Sequence, residues 1–296
     1  MSDVAIRRLA PSAVLELLKP VTWFPPCWAF LCGVVSAGVP LNTHPGEIAL
    51  GVLLCGPMVC ATSQAINDWH DRHVDAINEP NRPIPSGRIP GRWGLYISGI
   101  WAGLSLLVAL ALGPVVFAAT LVGLGFAWAY SAPPLRLKLN GWFGNAACGL
   151  CYEGLAWVTG AAVMLNGAVP SAEIFWLAGL YSVATIGIMV LNDFKSIEGD
   201  RRMGVASLPV QLGPERAARV ACWFMLMPQV AVVGLLVAWG LWWAAPLIVL
   251  LMAAQIACIP RLLRDPRGQA PWYNATGVGL SVLGMMVCAV AVRWLA

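Results

Sequence analysis

Charge is scarce in this chain. Only 11% of its 296 residues are Asp, Glu, Lys or Arg, against about 25% in ordinary soluble domains. With 59% hydrophobic residues and a mean hydropathy of +0.74, the shortage excludes a water-exposed globular surface and places the chain in a bilayer. Other features are missing too. Residues 1–20 lack the apolar core and small-residue cleavage site of a secretory leader, so none is expected to be removed. The nine cysteines fall mostly inside apolar runs and form no secreted disulfide framework. Cys148 and Cys151 have a CxxC spacing within one such run, which favours packing over redox chemistry. The net charge of +4 gathers into no nucleic-acid-binding stripe.

What is present is a series of long apolar runs. Nine approach the roughly 20 residues that a membrane helix needs: 21–39, 48–66, 93–112, 115–131, 142–165, 174–191, 220–239, 243–259 and 273–294. The break between the seventh and eighth rests on Gly240 and its neighbouring tryptophans. The basic residues test this map independently. Arg7, Arg8 and Lys19 precede the first run; Arg72, Arg82, Arg88 and Arg92 follow the second; Arg136 and Lys138 follow the fourth. Lys195, Arg201, Arg202, Arg216 and Arg219 follow the sixth, and Arg261, Arg264 and Arg267 follow the eighth. Of 18 basic residues only Arg293 falls on the other side. The expectation is an all-α, nine-span membrane protein, one domain over 1–296, with the N-terminus inside and the C-terminus outside. Residues 12–19 are expected to form a short amphipathic helix on the inner surface.

Half of the fourteen acids sit in two segments on the inner side: Asp68, Asp71, Asp75 and Glu79, then Asp193, Glu198 and Asp200. The segments INDWHDRHVD and LNDFKSIEGD open alike, a weak hint of an internal repeat. If the second span continues inward as a helix, Asp71 lies about 60° and Asp75 about 20° from Asp68, with Gln64 about 40° away and deeper. Three carboxylates on one stripe repel one another. A divalent cation reverses that sign, and Mg²⁺ suits the stripe because it bridges one or two carboxylates to a phosphate. Asp193 and Asp200 share a face on a continuous helix; Glu198 points elsewhere unless Gly199 breaks that helix. Arg82, in the proline-braced NRPIPSG, together with Arg136, Lys138, Lys195 and Arg201, are candidate ligands for a diphosphate.

The motifs NDWHDRHVDAINEPNRPIPSGRIP, YSAPPLRLKLNGWFGN, CYEGLAW and NDFKSIEGDRRMGVASLPVQLG together resemble the UbiA superfamily of intramembrane prenyltransferases, and within it the chlorophyll and bacteriochlorophyll synthase branch. The resemblance implies a nine-helix bundle around a central cavity that opens toward the cytoplasm of a bacterial membrane. It also implies Mg²⁺-dependent transfer of a geranylgeranyl or phytyl group from its diphosphate to the propionate of bacteriochlorophyllide. Asn67, Asp68, Asp71 and Asp75 match the first motif, and Asp193 and Asp200 the second. One departure is Ser196, which stands where relatives often carry an acid, so Asp193 or Glu198 is expected to complete the second metal's ligands.

Loss of diphosphate leaves an allyl cation, which aromatic faces stabilise by about 0.5–2 kcal/mol each. Tyr130, Tyr152, Trp157 and Phe194 are candidates for that pocket. Glu153 is costly within a span; it is either a pocket residue or a structural acid kept neutral by hydrogen bonds. His70 and His73 are read as loop histidines paired with carboxylates, with the pigment's magnesium as the alternative partner. A quinone precursor or chlorophyllide remains an alternative acceptor. An ion-coupled transporter is disfavoured, because its charges belong near the midplane and these lie at one mouth.

Overall fold

The computed structural model describes residues 9–295, which leaves the expected inner charges Arg7 and Arg8 outside the described residues. A short helix α1 (Pro11–Leu17) precedes α2 (Phe24–Ser36). Next, α3 (Pro45–Leu53) runs through a π-helical segment, Leu54–Cys60, into α4 (Ala61–Asn78). After α5 (Trp93–Leu112) and α6 (Pro114–Ser131), α7 (Gly141–Gly149) runs through a second π-helical segment, Leu150–Leu155, into α8 (Ala156–Met164). The chain continues as α9 (Ala172–Asp193), α10 (Ile197–Met203), α11 (Leu208–Leu212), α12 (Pro214–Ala238), α13 (Ala244–Arg264), α14 (Pro266–Ala275) and α15 (Gly277–Val292).

Among the described residues, eight helical stretches are long and apolar enough to cross a membrane. The first expected span is the shorter one. Its helix α2 has 13 residues, or about 20 Å against a hydrocarbon core of about 30 Å. Pro25 and Pro26 force the start of α2 at the Trp23–Phe24 step, and Gly38 at φ 76° ends it. The expected turn between the seventh and eighth runs is present, with Gly240 at φ 75°. The amphipathic segment is present as α1, whose Ala13 and Leu17 are buried.

Helices α2 and α8 cross where both are small. A Cβ on Gly33 would strike the Trp157 carbonyl, and one on Gly160 would strike the Phe30 carbonyl. Close backbone approach through small residues replaces the hydrophobic drive that lipid cannot supply. Trp28 Nε1 donates to the Val282 carbonyl at 3.0 Å, tying α2 to α15, so the first and last apolar helices are neighbours. α9 packs against both α7 and α12, and α4 and the C-terminal part of α9 line one cavity through Gln64, Asn67 and Met189.

Candidate active site

The second apolar stretch continues as helix through Asn78, so Asp68, Asp71 and Asp75 do form one stripe. Their side chains are 2%, 23% and 10% exposed. Buried carboxylates cost several kcal/mol each unless paired, and each has a cation. Lys19 Nζ lies 2.7 Å from Asp68 Oδ1. Arg82 Nη1 lies 3.4 Å from Asp68 Oδ1 and 3.0 Å from Asp75 Oδ2, and its Nε contacts Glu79. Lys138 Nζ lies 2.5 Å from Asp71 Oδ1. Asp68 Oδ2 is buried and has no hydrogen-bond partner among the described residues.

Local backbone geometry brings each cation in. Arg82 sits in a turn closed by Ser86 N donating to the Arg82 carbonyl at 3.0 Å and Ile89 N to the Pro83 carbonyl at 2.9 Å. Lys138 lies in the 3₁₀ turn Leu137–Leu139 behind Arg136, whose φ of 40° redirects the chain. Burial lowers the Lys138 pKa, with Asp71 opposing. Burial also pulls on Arg82, but Asp68, Asp75 and Glu79 outweigh it and raise its pKa.

The second cluster differs from the expected continuous helix. α9 ends at Asp193, the chain turns at Phe194–Ser196, and Gly199 lies inside α10 instead of breaking a helix. Asp193 Oδ2 accepts from Asn145 Nδ2 at 3.2 Å. Ser196 Oγ donates to Asp200 Oδ2 at 3.0 Å, so the serine serves as a polar neighbour of the acid it precedes by four positions. Ala206 N donates to the Leu139 carbonyl at 2.9 Å and Gly141 N to the Ala206 carbonyl at 2.8 Å. This pairing sets the second loop against the segment that carries Lys138, so both clusters share one end of the bundle. Glu198 is a correction: its carboxylate is 62% exposed and pairs with Arg267 at 2.9 Å. Lys195 and Arg201 are exposed.

Behind the acids lies a cavity of about 200 Å³, lined by Gln64, Asn67, Tyr130 and Tyr152 among others. It reaches Met189, one turn before Asp193. Gln64 Nε2 donates to Tyr152 Oη at 3.2 Å and Asn67 Nδ2 to Ser131 Oγ at 3.3 Å. The rest of its lining is largely apolar and includes Pro26, Val59, Gly123 and Phe126, with Cys55, Cys60, Cys148 and Cys151. From Asn67 to Cys55 the wall formed by α4 and the π-helical segment before it is at most about 18 Å long. A smaller cleft shares Cys55, Val59 and Gly123 and continues to Thr120 and Thr159.

Three expected pocket residues lie elsewhere. Trp157 is fully buried, stacked on Tyr181 at 5.7 Å and donating to Ser36 Oγ at 3.1 Å. It lies five residues past the cavity-lining Tyr152, beyond the π-helical segment, and faces the core. Glu153, the next residue of the π-helical segment, is buried beside Thr185 and does not line the cavity. Phe194 packs in the core with Val190, Ile197 and Leu208. His70 is also corrected. It lies on α4, about 160° from Asp68, against Trp128 at 6.4 Å, and its Nε2 has no hydrogen-bond partner among the described residues. His73 is exposed on the same helix.

Residues 23–291 match the UbiA prenyltransferase family. The chain belongs to that family. It is 57% identical to the bacteriochlorophyll synthase 33 kDa chain of Cereibacter sphaeroides, over 96% of this chain and 94% of that one. It is 39% identical to the chloroplastic chlorophyll synthase of Oryza sativa, over 94% and 76%. The structure of a UbiA homologue from Archaeoglobus fulgidus bound to DMAPP and Mg²⁺ shares the fold, with TM-score 0.68, 23% identity and coverage of 94% and 99%.

As a UbiA prenyltransferase the chain is a multi-pass membrane enzyme. Two polar contributors to its site escaped sequence reasoning. Lys19 reads as a topology charge because Asp68 is 49 positions away. Asn145 carries no charge, and its one signal was its place at the end of the motif LNGWFGN. The cysteine wall could have been found from the CxxC spacing together with the tyrosines beside it.

Proposed function

We propose that this UbiA prenyltransferase joins a geranylgeranyl or phytyl group to the propionate of bacteriochlorophyllide, as a bacteriochlorophyll synthase. The observation that carries the reading is a mouth of carboxylates and cations opening on an apolar cavity. A prenyl diphosphate has that shape and polarity. An extended tail advances about 1.2 Å per bond, as extended backbone does, so four isoprene units span about 18–20 Å. The cavity wall formed by α4 and the π-helical segment before it is of comparable length. The acceptor rests on the relatives: 57% identity to a bacteriochlorophyll synthase exceeds 39% to a chlorophyll synthase.

The residues fit Mg²⁺. Asp68 Oδ2 is buried without a partner, an available lone pair in a site that already holds three carboxylates. Among the described residues no group of three or more His, Cys, Asp or Glu is close enough to hold a metal unaided. Mg²⁺ keeps waters and commonly takes only one or two protein carboxylates together with substrate phosphate. Asp68, Asp71 and Asp75 on one side, and Asp193 and Asp200 on the other, are the ligands we assign. When bound, Mg²⁺ neutralises charge on the departing diphosphate.

Arg82 and Lys138, and on the rim Arg136, Lys195 and Arg201, bind diphosphate oxygens as the allylic carbon–oxygen bond breaks. Stabilisation of that developing charge is the main catalytic term. Tyr130 and Tyr152 present their rings to the carbon left behind, and the apolar wall excludes water. The propionate, with a reference pKa near 4, is already ionised at neutral pH. Its oxygen bonds to the prenyl carbon, the diphosphate leaves with the electron pair, and no general base is needed. We place the mouth on the cytoplasmic face of a bacterial membrane, supported by the one-sided Lys and Arg distribution, and read 1–296 as one domain.

The test is a membrane assay with bacteriochlorophyllide and geranylgeranyl diphosphate, with the product identified by mass. The expected result is the ester, lost with EDTA and restored by Mg²⁺. No ester would sink the reading, and faster esterification of chlorophyllide would change the acceptor. Arg82→Ala is expected to raise KM for the prenyl diphosphate by about 10- to 100-fold, the worth of a charged hydrogen bond, with little change for the pigment. Equal losses for both substrates would mark Arg82 as a folding residue.

A further inference from the structure

Among the described residues, Lys19 is the one cation of the mouth that comes from the N-terminal segment, and its backbone is held firmly. α1 packs Ala13 and Leu17, with the following Leu18, in one cluster with Ala61, Ala65, Ile89 and Ile97. Arg88 grips Glu16 with two nitrogens, at 2.5 and 2.8 Å. Trp23 Nε1 donates to the Leu18 carbonyl at 2.9 Å. Lys19 itself takes a left-handed turn at φ 46°, and its carbonyl accepts from Thr22 Oγ1 at 2.8 Å. Only the flexible four-carbon stem is free to move, and it delivers Nζ to Asp68.

The three cations of the stripe are not equivalent. Arg82 is shared among Asp68, Asp75 and Glu79, so it keeps two carboxylates if Asp68 turns to another partner. Lys138 is paired with Asp71 and is 10% exposed. Lys19 Nζ has Asp68 as its one carboxylate among the described residues, and its side chain is 23% exposed. Asp68 keeps Oδ2 open. A divalent cation entering at that oxygen would sit within a few ångströms of Nζ. Repulsion between like charges at that range is strong in a half-buried site.

Resting on the prenyl diphosphate reading above, we propose that Lys19 is an exchangeable counterion: it neutralises Asp68 while the mouth holds no metal, yields Asp68 to the metal, and transfers its ammonium to the diphosphate that arrives with it. The anchored backbone limits Nζ to a short arc, and the arriving diphosphate is the new anion within it. No covalent bond changes and no proton moves. The consequence is thermodynamic coupling. Metal alone binds weakly, because it must displace a cation. Diphosphate alone binds weakly, because Asp68 still holds Lys19. Together each relieves the other's cost.

The experiment uses the full-length protein in detergent, with Mn²⁺ binding followed by electron paramagnetic resonance with and without inorganic pyrophosphate. In the unsubstituted protein, pyrophosphate is expected to tighten Mn²⁺ binding by about tenfold or more, or ~1.4 kcal/mol. Lys19→Met keeps the apolar stem and removes the charge. It is expected to tighten Mn²⁺ binding without pyrophosphate by several-fold and to weaken pyrophosphate binding by about tenfold, while Lys19→Arg keeps the coupling. Opposite signs for the two ligands are what a merely structural lysine would not produce. Unchanged or weaker Mn²⁺ affinity in Lys19→Met would overturn the exchange. If that variant does not fold, independent binding of Mn²⁺ and pyrophosphate to the unsubstituted protein overturns it equally. Failure of the unsubstituted protein to bind Mn²⁺ with pyrophosphate at all is a different result, and it counts against the prenyl diphosphate reading itself.

Discussion

Asp68→Ala is expected to lower prenyl transfer by about three orders of magnitude, the scale on which removing a preorganised charge-stabilising group acts. Asp68 is the most deeply buried carboxylate of the stripe, and the one that joins two cations, Lys19 and Arg82. Its removal takes away an assigned metal ligand and leaves Lys19 without a carboxylate among the described residues, so the mouth becomes more positive. Diphosphate would still be attracted, but its leaving-group charge would be met without an ordered metal, which lowers kcat more than affinity. Asp193→Ala should behave similarly from the other side, freeing Asn145. Glu198→Ala, whose carboxylate is exposed beside Arg267, should stay within about fivefold of the parent, as surface pairs contribute at most about 1 kcal/mol. The check is turnover by mass-identified product, together with size-exclusion profiles to show that each variant remains folded. Turnover of Asp68→Ala near that of Glu198→Ala would reject the metal-site assignment.

The contrast between Asp68 and Glu198 also marks what was legible in the sequence. Apolar runs and one-sided basic residues are strong signals, because lipid demands continuous apolar helix and leaves few alternatives. The acid stripe was legible for a related reason: once α4 is taken to continue past the apolar run, the 100° rotation places Asp68, Asp71 and Asp75 together. Side-chain direction near a helix irregularity was not legible. The π-helical segment Leu150–Leu155 inserts a local change of phase. Tyr152 therefore lines the cavity while Glu153 and Trp157, equally plausible in the motif, turn into the core. Phe194 was misjudged because the helix ends one residue before it. His70 looked like a loop residue because its neighbours are polar, yet a polar sequence can be helical when one face is buried, and here that face meets Trp128. Lys19 and Asn145 were invisible as site residues, since only tertiary packing brings them to Asp68 and Asp193.

The crossing of α2 and α8 is expected to fail at Gly160. A Cβ there would overlap the carbonyl of Phe30, and its counterpart on Gly33 would overlap the carbonyl of Trp157. The obstacles are backbone atoms, which cannot change rotamer, so the helices must separate or shift. Gly160→Ala should therefore cost about 1–3 kcal/mol, the range for overpacking, although alanine is the better helix former by about 1 kcal/mol. Gly160→Leu should exceed about 4 kcal/mol and leave little folded protein in detergent. Gly179→Ala is the matched control, because nothing lies within 4 Å of its added Cβ. It should equal or exceed the parent in stability. The sign difference between two glycine-to-alanine changes in transmembrane helices is the measurement that matters, read as thermal unfolding midpoints in one detergent. Gly160 sits two turns beyond the cavity-lining Tyr152 on the same helical stretch, so a displaced α8 would also move that wall. Gly160→Ala should then lose prenyl transfer more steeply with temperature than Gly179→Ala. If the two variants unfold together, the α2–α8 contact is looser than the structure has it, and the cavity wall that depends on it is not held by these glycines.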